Sequence, residues 1–317
     1  MAAAEAYNIT HRYGKVTALD DVSFTVGDGE LFGFIGPDGA GKTTLFRIAA
    51  TLIIPSGGRM TLLGLNTVSR YRELRNHIGY MPGRFSLYHD LTVEENLNFF
   101  ATIFGTTIKK NYDLIEPIYR QIEPYRKRLA GKLSGGMKQK LALSCALIHR
   151  PRILILDEPT TGVDAVSRTE FWEMLARLKS EGITIIVSTP YMDEALRCDR
   201  IALIQSGRIL GIDTPDNVRR SYSQKLYAVT HPDKYKLLLA LRSLPGPSIS
   251  LPLAPDSLPR AISSEPFGDS VHITLPEGIT PEELISVLAT SGLAGAAITE
   301  IVPGIEDVFL ELMKRKQ

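Results

Sequence analysis

Nine consecutive residues, Gly36, Pro37, Asp38, Gly39, Ala40, Gly41, Lys42, Thr43 and Thr44, restrict the fold of this chain more than any others. They follow a short apolar run, Leu31–Ile35, and precede an apolar-periodic stretch that reads as a helix to about Leu52. The pattern is G-x4-G-K-S/T between a strand and a helix. Phosphate oxygens need many donors at close range. Glycines let backbone amides point inward unobstructed, and a helix N-terminus adds free N–H groups and a favourable dipole. Lys42 is placed to reach β- and γ-phosphates, and Thr43 to hold Mg2+. The fixed positions arise by chance in roughly one chain in a hundred of this length, and the strand–helix setting lowers that further.

A second segment complements the loop. Four apolar residues, 153–156, end in Asp157-Glu158. Ligands of open α/β sheets bind at the carboxyl ends of strands. A carboxylate there, Asp157, can hold Mg2+ through water, and Glu158 can polarise an attacking water. Alone, an acidic pair after a strand is more often a cap or a solvated turn. Beside a complete phosphate loop the balance reverses.

Composition closes off other classes. The net charge of +1 and the scattered Lys and Arg give no basic face, so nucleic acid is not an expected partner. Two cysteines make neither a disulfide framework nor a metal site. Cys145 lies in an apolar run and is expected to be buried. The six histidines lack ligand spacing, which argues against zinc. No stretch approaches the ~18 apolar residues of a membrane helix, and the N-terminus does not resemble a signal peptide. A cytoplasmic protein without direct membrane insertion is expected.

The element pattern predicts an α/β fold. Residues 1–30 read as antiparallel strands, with turns at Gly14 and at 27–29. Buried strands at 31–35, 153–156 and 183–187 alternate with helices, which implies a parallel sheet. Residues of about 92–150 read as an inserted helical subdomain. Composition shifts after Asp216, so the boundary is set at 1–218 and 219–317. The second part is expected to be a small α+β appendage. Its strands are placed at 225–230, 270–275 and 296–301, and its helices at 234–241, 281–290 and from 305. The Pro- and Ser-rich 244–266 reads as a linker.

One further motif decides the family. Leu133-Ser134-Gly135-Gly136-Met137-Lys138-Gln139-Lys140 resembles the signature of ABC ATPases, and the resemblance extends over residues 5–215. It implies that ATP is sandwiched between two subunits, with Ser134, Gly135 and Gly136 closing on the ATP held by the partner. It implies that Tyr13 stacks on adenine and that Asp164 is a dimer contact. Residues 191–195 also match. The ending at 304–310 is similar to that of export-type ABC ATPases, including multidrug and antibiotic-resistance exporters. Separate transmembrane permease subunits and a second ATPase subunit, identical or different, are the implied partners. The implied place is the cytoplasmic face of the membrane. Exposed Phe85 and Tyr88 would serve as permease anchors, or else pack within the helical subdomain.

Two positions depart from the family pattern. Gly83 stands where the family has a glutamine near Mg2+ and the lytic water, and Pro190 where it has a histidine near the γ-phosphate. Proline has neither a side-chain donor nor a backbone N–H. Losing a donor aimed at developing charge costs about 10²–10³ in rate in a protease example. The chain's own site is therefore expected to hydrolyse slowly, as the weaker half of an asymmetric pair. The other reading is that Glu158 alone sustains ordinary turnover. An alternative class, a soluble ABC ATPase of DNA repair or translation, is disfavoured by the short interval between Lys42 and Ser134, which holds no heptads.

Overall fold

The structure, a computed structural model, describes residues 2–243, 263–275 and 278–315. They form two compact units, 2–218 with 312–315, and the described residues between 219 and 311.

In the first unit, β1 (Ala2–Tyr13) and β2 (Val16–Gly27) form an antiparallel hairpin. The strand β3 (Leu31–Ile35) is wholly buried, as its uninterrupted apolar run requires. It feeds the glycine-rich loop and α1 (Lys42–Ala49). That helix stops short of Leu52, because Thr51 takes a left-handed φ of 60°. Next come β4 (Gly57–Leu62), β5 (Leu65–Asn66), α2 (Tyr71–Leu74) and β6 (Ile78–Met81). The helical insertion holds α3 (Val93–Ile103), α4 (Tyr112–Tyr119) and α5 (Gly135–Leu147). It is less helical than its sequence suggests. Residues 126–131 instead lie along 89–94, through backbone bonds such as Ala130 N to Leu91 O at 2.8 Å. The unit continues through β7 (Ile153–Asp157), α6 (Ala165–Ser180), β8 (Thr184–Thr189), β9 (Arg200–Gln205), β10 (Arg208–Asp213) and α7 (Pro215–Arg220).

Two sheets result. One is antiparallel, in the order β2-β1-β4-β5, and the other runs β10-β9-β3-β8-β7-β6. In the second, β9, β3, β8, β7 and β6 are parallel, and only the edge strand β10 is antiparallel. Phe24, Phe32, Phe34 and Phe46 pack between the sheets and α1, with Phe34 edge-on to Phe46 at 5.7 Å. Burying each such ring is worth about 1.5–3 kcal/mol. The cluster fixes α1 against β3, and so fixes the loop between them.

The second unit holds β11 (Leu226–Thr230), α8 (Lys234–Ser243), β12 (Ser263–Phe267), β13 (Ser270–Thr274), α9 (Pro281–Thr290), β14 (Ala297–Ile301) and most of α10 (Ile305–Arg315). The sheet order is β12-β13-β11-β14, over a core that includes Val229, Leu237, Val271 and Leu284. The end of the expected linker is a strand instead: β12 pairs with β13 from Ser263↔Thr274 to Phe267↔Ser270. The rest of that linker, 244–262, lies outside the described residues. Among the described residues, no helix is long and apolar enough to cross a membrane.

Candidate nucleotide site

The glycine-rich loop leaves β3 at the carboxyl edge of the parallel sheet. Two of its glycines are dictated by space. A Cβ on Gly36 would lie 2.1 Å from Ile204 O, and one on Gly41, at φ +105°, 2.6 Å from Ala18 O. Lys42 is buried, and its ammonium donates to Gly36 O at 2.7 Å and Pro37 O at 3.0 Å. It also lies 3.0 Å from Glu158 Oε1. Asp38 and Gly39 are exposed, Pro37, Gly41 and Thr43 half-buried, and Ala40 and Thr44 buried.

The acidic pair closes the other side. Asp157 is buried, accepts from Ser188 Oγ at 2.8 Å, and is hydrogen-bonded to the Thr43 hydroxyl. Burial pushes its pKa up, opposed first by the Ser188 and then by the Thr43 hydroxyl. Glu158 sits at φ 50°, a left-handed conformation that costs a non-glycine residue about 1–3 kcal/mol. Its N–H donates to Ser188 Oγ at 3.0 Å and to Ser188 O at 3.1 Å. Ser188 thus touches both acidic residues. The sequence reading missed it, although the parallel register sets it directly across from Asp157. Tyr80, on the neighbouring strand, has its hydroxyl pKa raised to about 12, by burial and then by the Asp157 charge.

Both departures from the family pattern border this cluster. A Cβ on Gly83 would lie 3.0 Å from Asp157 O and 3.8 Å from Asp157 Oδ2. Pro190 follows Thr189, whose carbonyl accepts from Gly36 N at 3.3 Å.

The other expected residues stand outside the cluster. Tyr13 is exposed at the end of β1, edge-on to His11. Ser134 caps α5, with Met137 N 3.4 Å from its Oγ. Gly136 is buried on the start of α6, where a Cβ would lie 2.8 Å from Ser167 Oγ, whereas Gly135 is exposed, with a Cβ there 3.4 Å from Gly162 O. Asp164 is exposed and caps α6 by accepting from Ser167 N at 3.0 Å, which lowers its pKa. Tyr88 is 50% exposed and edge-on to Phe99. Phe85 is not fully exposed as expected: it is half-buried against the His89 ring, with Lys138 over its face.

A parallel sheet ending in a glycine-rich cradle, with a lysine and paired carboxylates, defines a P-loop nucleotide-binding domain. Residues 19–161 match the family model described as ABC transporter. Over 318 residues the chain is 32% identical to "Nod factor export ATP-binding protein I" of Rhizobium sp. (strain N33), covering 99% of this chain and 98% of that one. It is 37% identical to "Probable multidrug ABC transporter ATP-binding protein YbhF" of Escherichia coli (strain K12), covering 93% of this chain. The chain spans 49% of that relative's length. A solved structure titled "Structure of ATP binding subunit of ABC transporter" superposes with a TM-score of 0.64 at 29% identity, covering 69% of this chain and 93% of that one. The chain belongs to the ABC transporter family.

Proposed function

We propose that this chain is the ATP-binding subunit of an exporter, acting at the cytoplasmic face of a membrane through separate permease subunits. The observation that carries the reading is the cluster of Lys42, Thr43, Asp157, Glu158 and Ser188 around the glycine-rich loop. Relatives named for multidrug transport and for Nod factor export align along the chain, the latter over nearly its whole length, appendage included.

The loop amides and Lys42 hold the ATP phosphates. Thr43 and Asp157 place two hard oxygen donors side by side, which suits Mg2+. The ion, when bound, neutralises phosphate charge. Glu158 orients the attacking water, and Ser188 holds its backbone in the left-handed turn. Tyr13 stacks on adenine, and Ser134, Gly135 and Gly136 meet the nucleotide of a second ATPase subunit. Neither Gly83 nor Pro190 offers the reaction centre a side-chain donor. The chain's own site therefore binds ATP and hydrolyses it slowly, and a different ATPase subunit supplies the faster site.

Purified chain is titrated with a fluorescent ATP analogue and MgCl2, and phosphate release is followed. Binding should disappear in Lys42→Ala, and wild-type turnover should fall well below about 1 s⁻¹. Unchanged affinity in Lys42→Ala overturns the nucleotide reading. Ordinary exporter turnover by the chain alone overturns the slow site.

A further inference from the structure

One buried carboxylate is not used by this mechanism. Glu194 is 4% exposed, yet it is a hub for three segments. It accepts from Thr160 Oγ1 at 2.8 Å, two residues beyond Glu158. It accepts from Thr189 Oγ1 at 2.5 Å, beside Pro190. It also accepts from Arg168 Nε at 3.1 Å, in the first turn of α6. Arg168 is fixed further, with its guanidinium 4.2 Å over the Tyr191 ring and 3.3 Å from Asp193. Removing one partner of a buried ion pair leaves an uncompensated charge, so Glu194 and Arg168 hold each other in place.

These contacts make a continuous route through one chain. At one end, Gly36 N of the phosphate loop bonds Thr189 O at 3.3 Å. From Thr189 the route passes through Glu194 to Arg168. From Arg168 it enters the α6 start, where Arg168 N bonds Asp164 O at 2.9 Å and Ser167 abuts Gly136 of the signature segment.

We propose that Glu194 is a positioning residue that couples the chain's own phosphate loop to its Ser134–Gly136 segment. The inference rests on the nucleotide-site reading and extends it. It gives a slow site a means of setting the clasp offered to another subunit's ATP. A coupling claim needs an element that both ends bias, and here that element is the start of α6.

The test is amide hydrogen exchange of the full chain with and without MgATP, with light scattering verifying a monomer in the same sample. In wild type, MgATP should slow exchange in the 132–140 region about threefold or more, a local-opening effect. In Glu194→Gln and in Arg168→Gln that response should vanish, while ATP affinity stays within about threefold of wild type, a difference under 1 kcal/mol. Thr189→Val, which keeps the side-chain shape but removes the hydroxyl that donates to Glu194 and accepts from Tyr191 N, is the smallest of the three changes and should reduce the response. An unchanged response in all three variants overturns the proposal, as does a wild type that binds ATP without any change at 132–140. A wild type that binds no ATP overturns instead the nucleotide-site reading beneath it.

Discussion

At the scale of single residues, the site is a set of unfavourable choices held in place by neighbours. Glu158 occupies a left-handed turn that its side chain disfavours, and two acceptors on Ser188 hold its N–H there. Burial raises the pKa of Asp157, and two hydroxyls oppose that shift. Against this machinery the two substituted positions stand out. Gly83 has no left-handed φ, so a side chain is conformationally allowed, although its Cβ would sit tightly on Asp157 O. Pro190 supplies no proton at all. The combined change Gly83→Gln with Pro190→His should therefore raise phosphate release by the purified chain about 10²-fold or more, the lower end of the range for one aimed donor. Unchanged release, with ATP binding intact, would remove these positions as the cause of the slow turnover we propose.

At the scale of elements, capping residues and chemistry share the same positions. Ser134 caps α5, and Asp164 caps α6. Each was singled out in the sequence through the family resemblance, and a helix-start reading would have found the same residues. Thr92 and Glu95 form a full capping box on α3. Fully buried Asn96 then pins the preceding loop, accepting from Tyr88 N at 3.0 Å and donating to Tyr88 O and Thr92 O. Thr92→Ala should cost about 1 kcal/mol in chemical denaturation, as for other N-caps. Asn96→Ala should cost more, because it strands buried backbone groups at about 1–3 kcal/mol each. Equal losses would show that the loop is held by something other than Asn96. Strand and helix positions were legible because apolar period and glycine placement are local signals. The Glu194 hub, Ser188 and Asn96 were not, because each acts on partners brought together by sheet register or loop folding. The strand β12 escaped because its sequence, with Pro266 inside it, reads as turn chemistry.

At the scale of the molecule, the function we propose gives one chain two functional surfaces that serve two different nucleotides. The phosphate loop, with Lys42, Asp157 and Glu158, belongs to the chain's own ATP. In the same proposal the Ser134 segment, which caps α5, belongs to the nucleotide of the opposing subunit. Where the own site is slow and the opposing one fast, damage to these surfaces has unequal consequences. In the assembly purified with its ATPase partner and permease, Glu158→Gln in this chain removes only the minor source of hydrolysis. Turnover of the assembly should then stay within about twofold of wild type, a change under 1 kcal/mol in barrier. Ser134→Arg in this chain places a bulky cation in the clasp over the partner's ATP, and turnover should fall by about 10² or more. In an equal pair each substitution disables one of two equivalent sites, so the two losses become comparable. Steady-state phosphate release from the two variant assemblies therefore separates an unequal pair from an equal one.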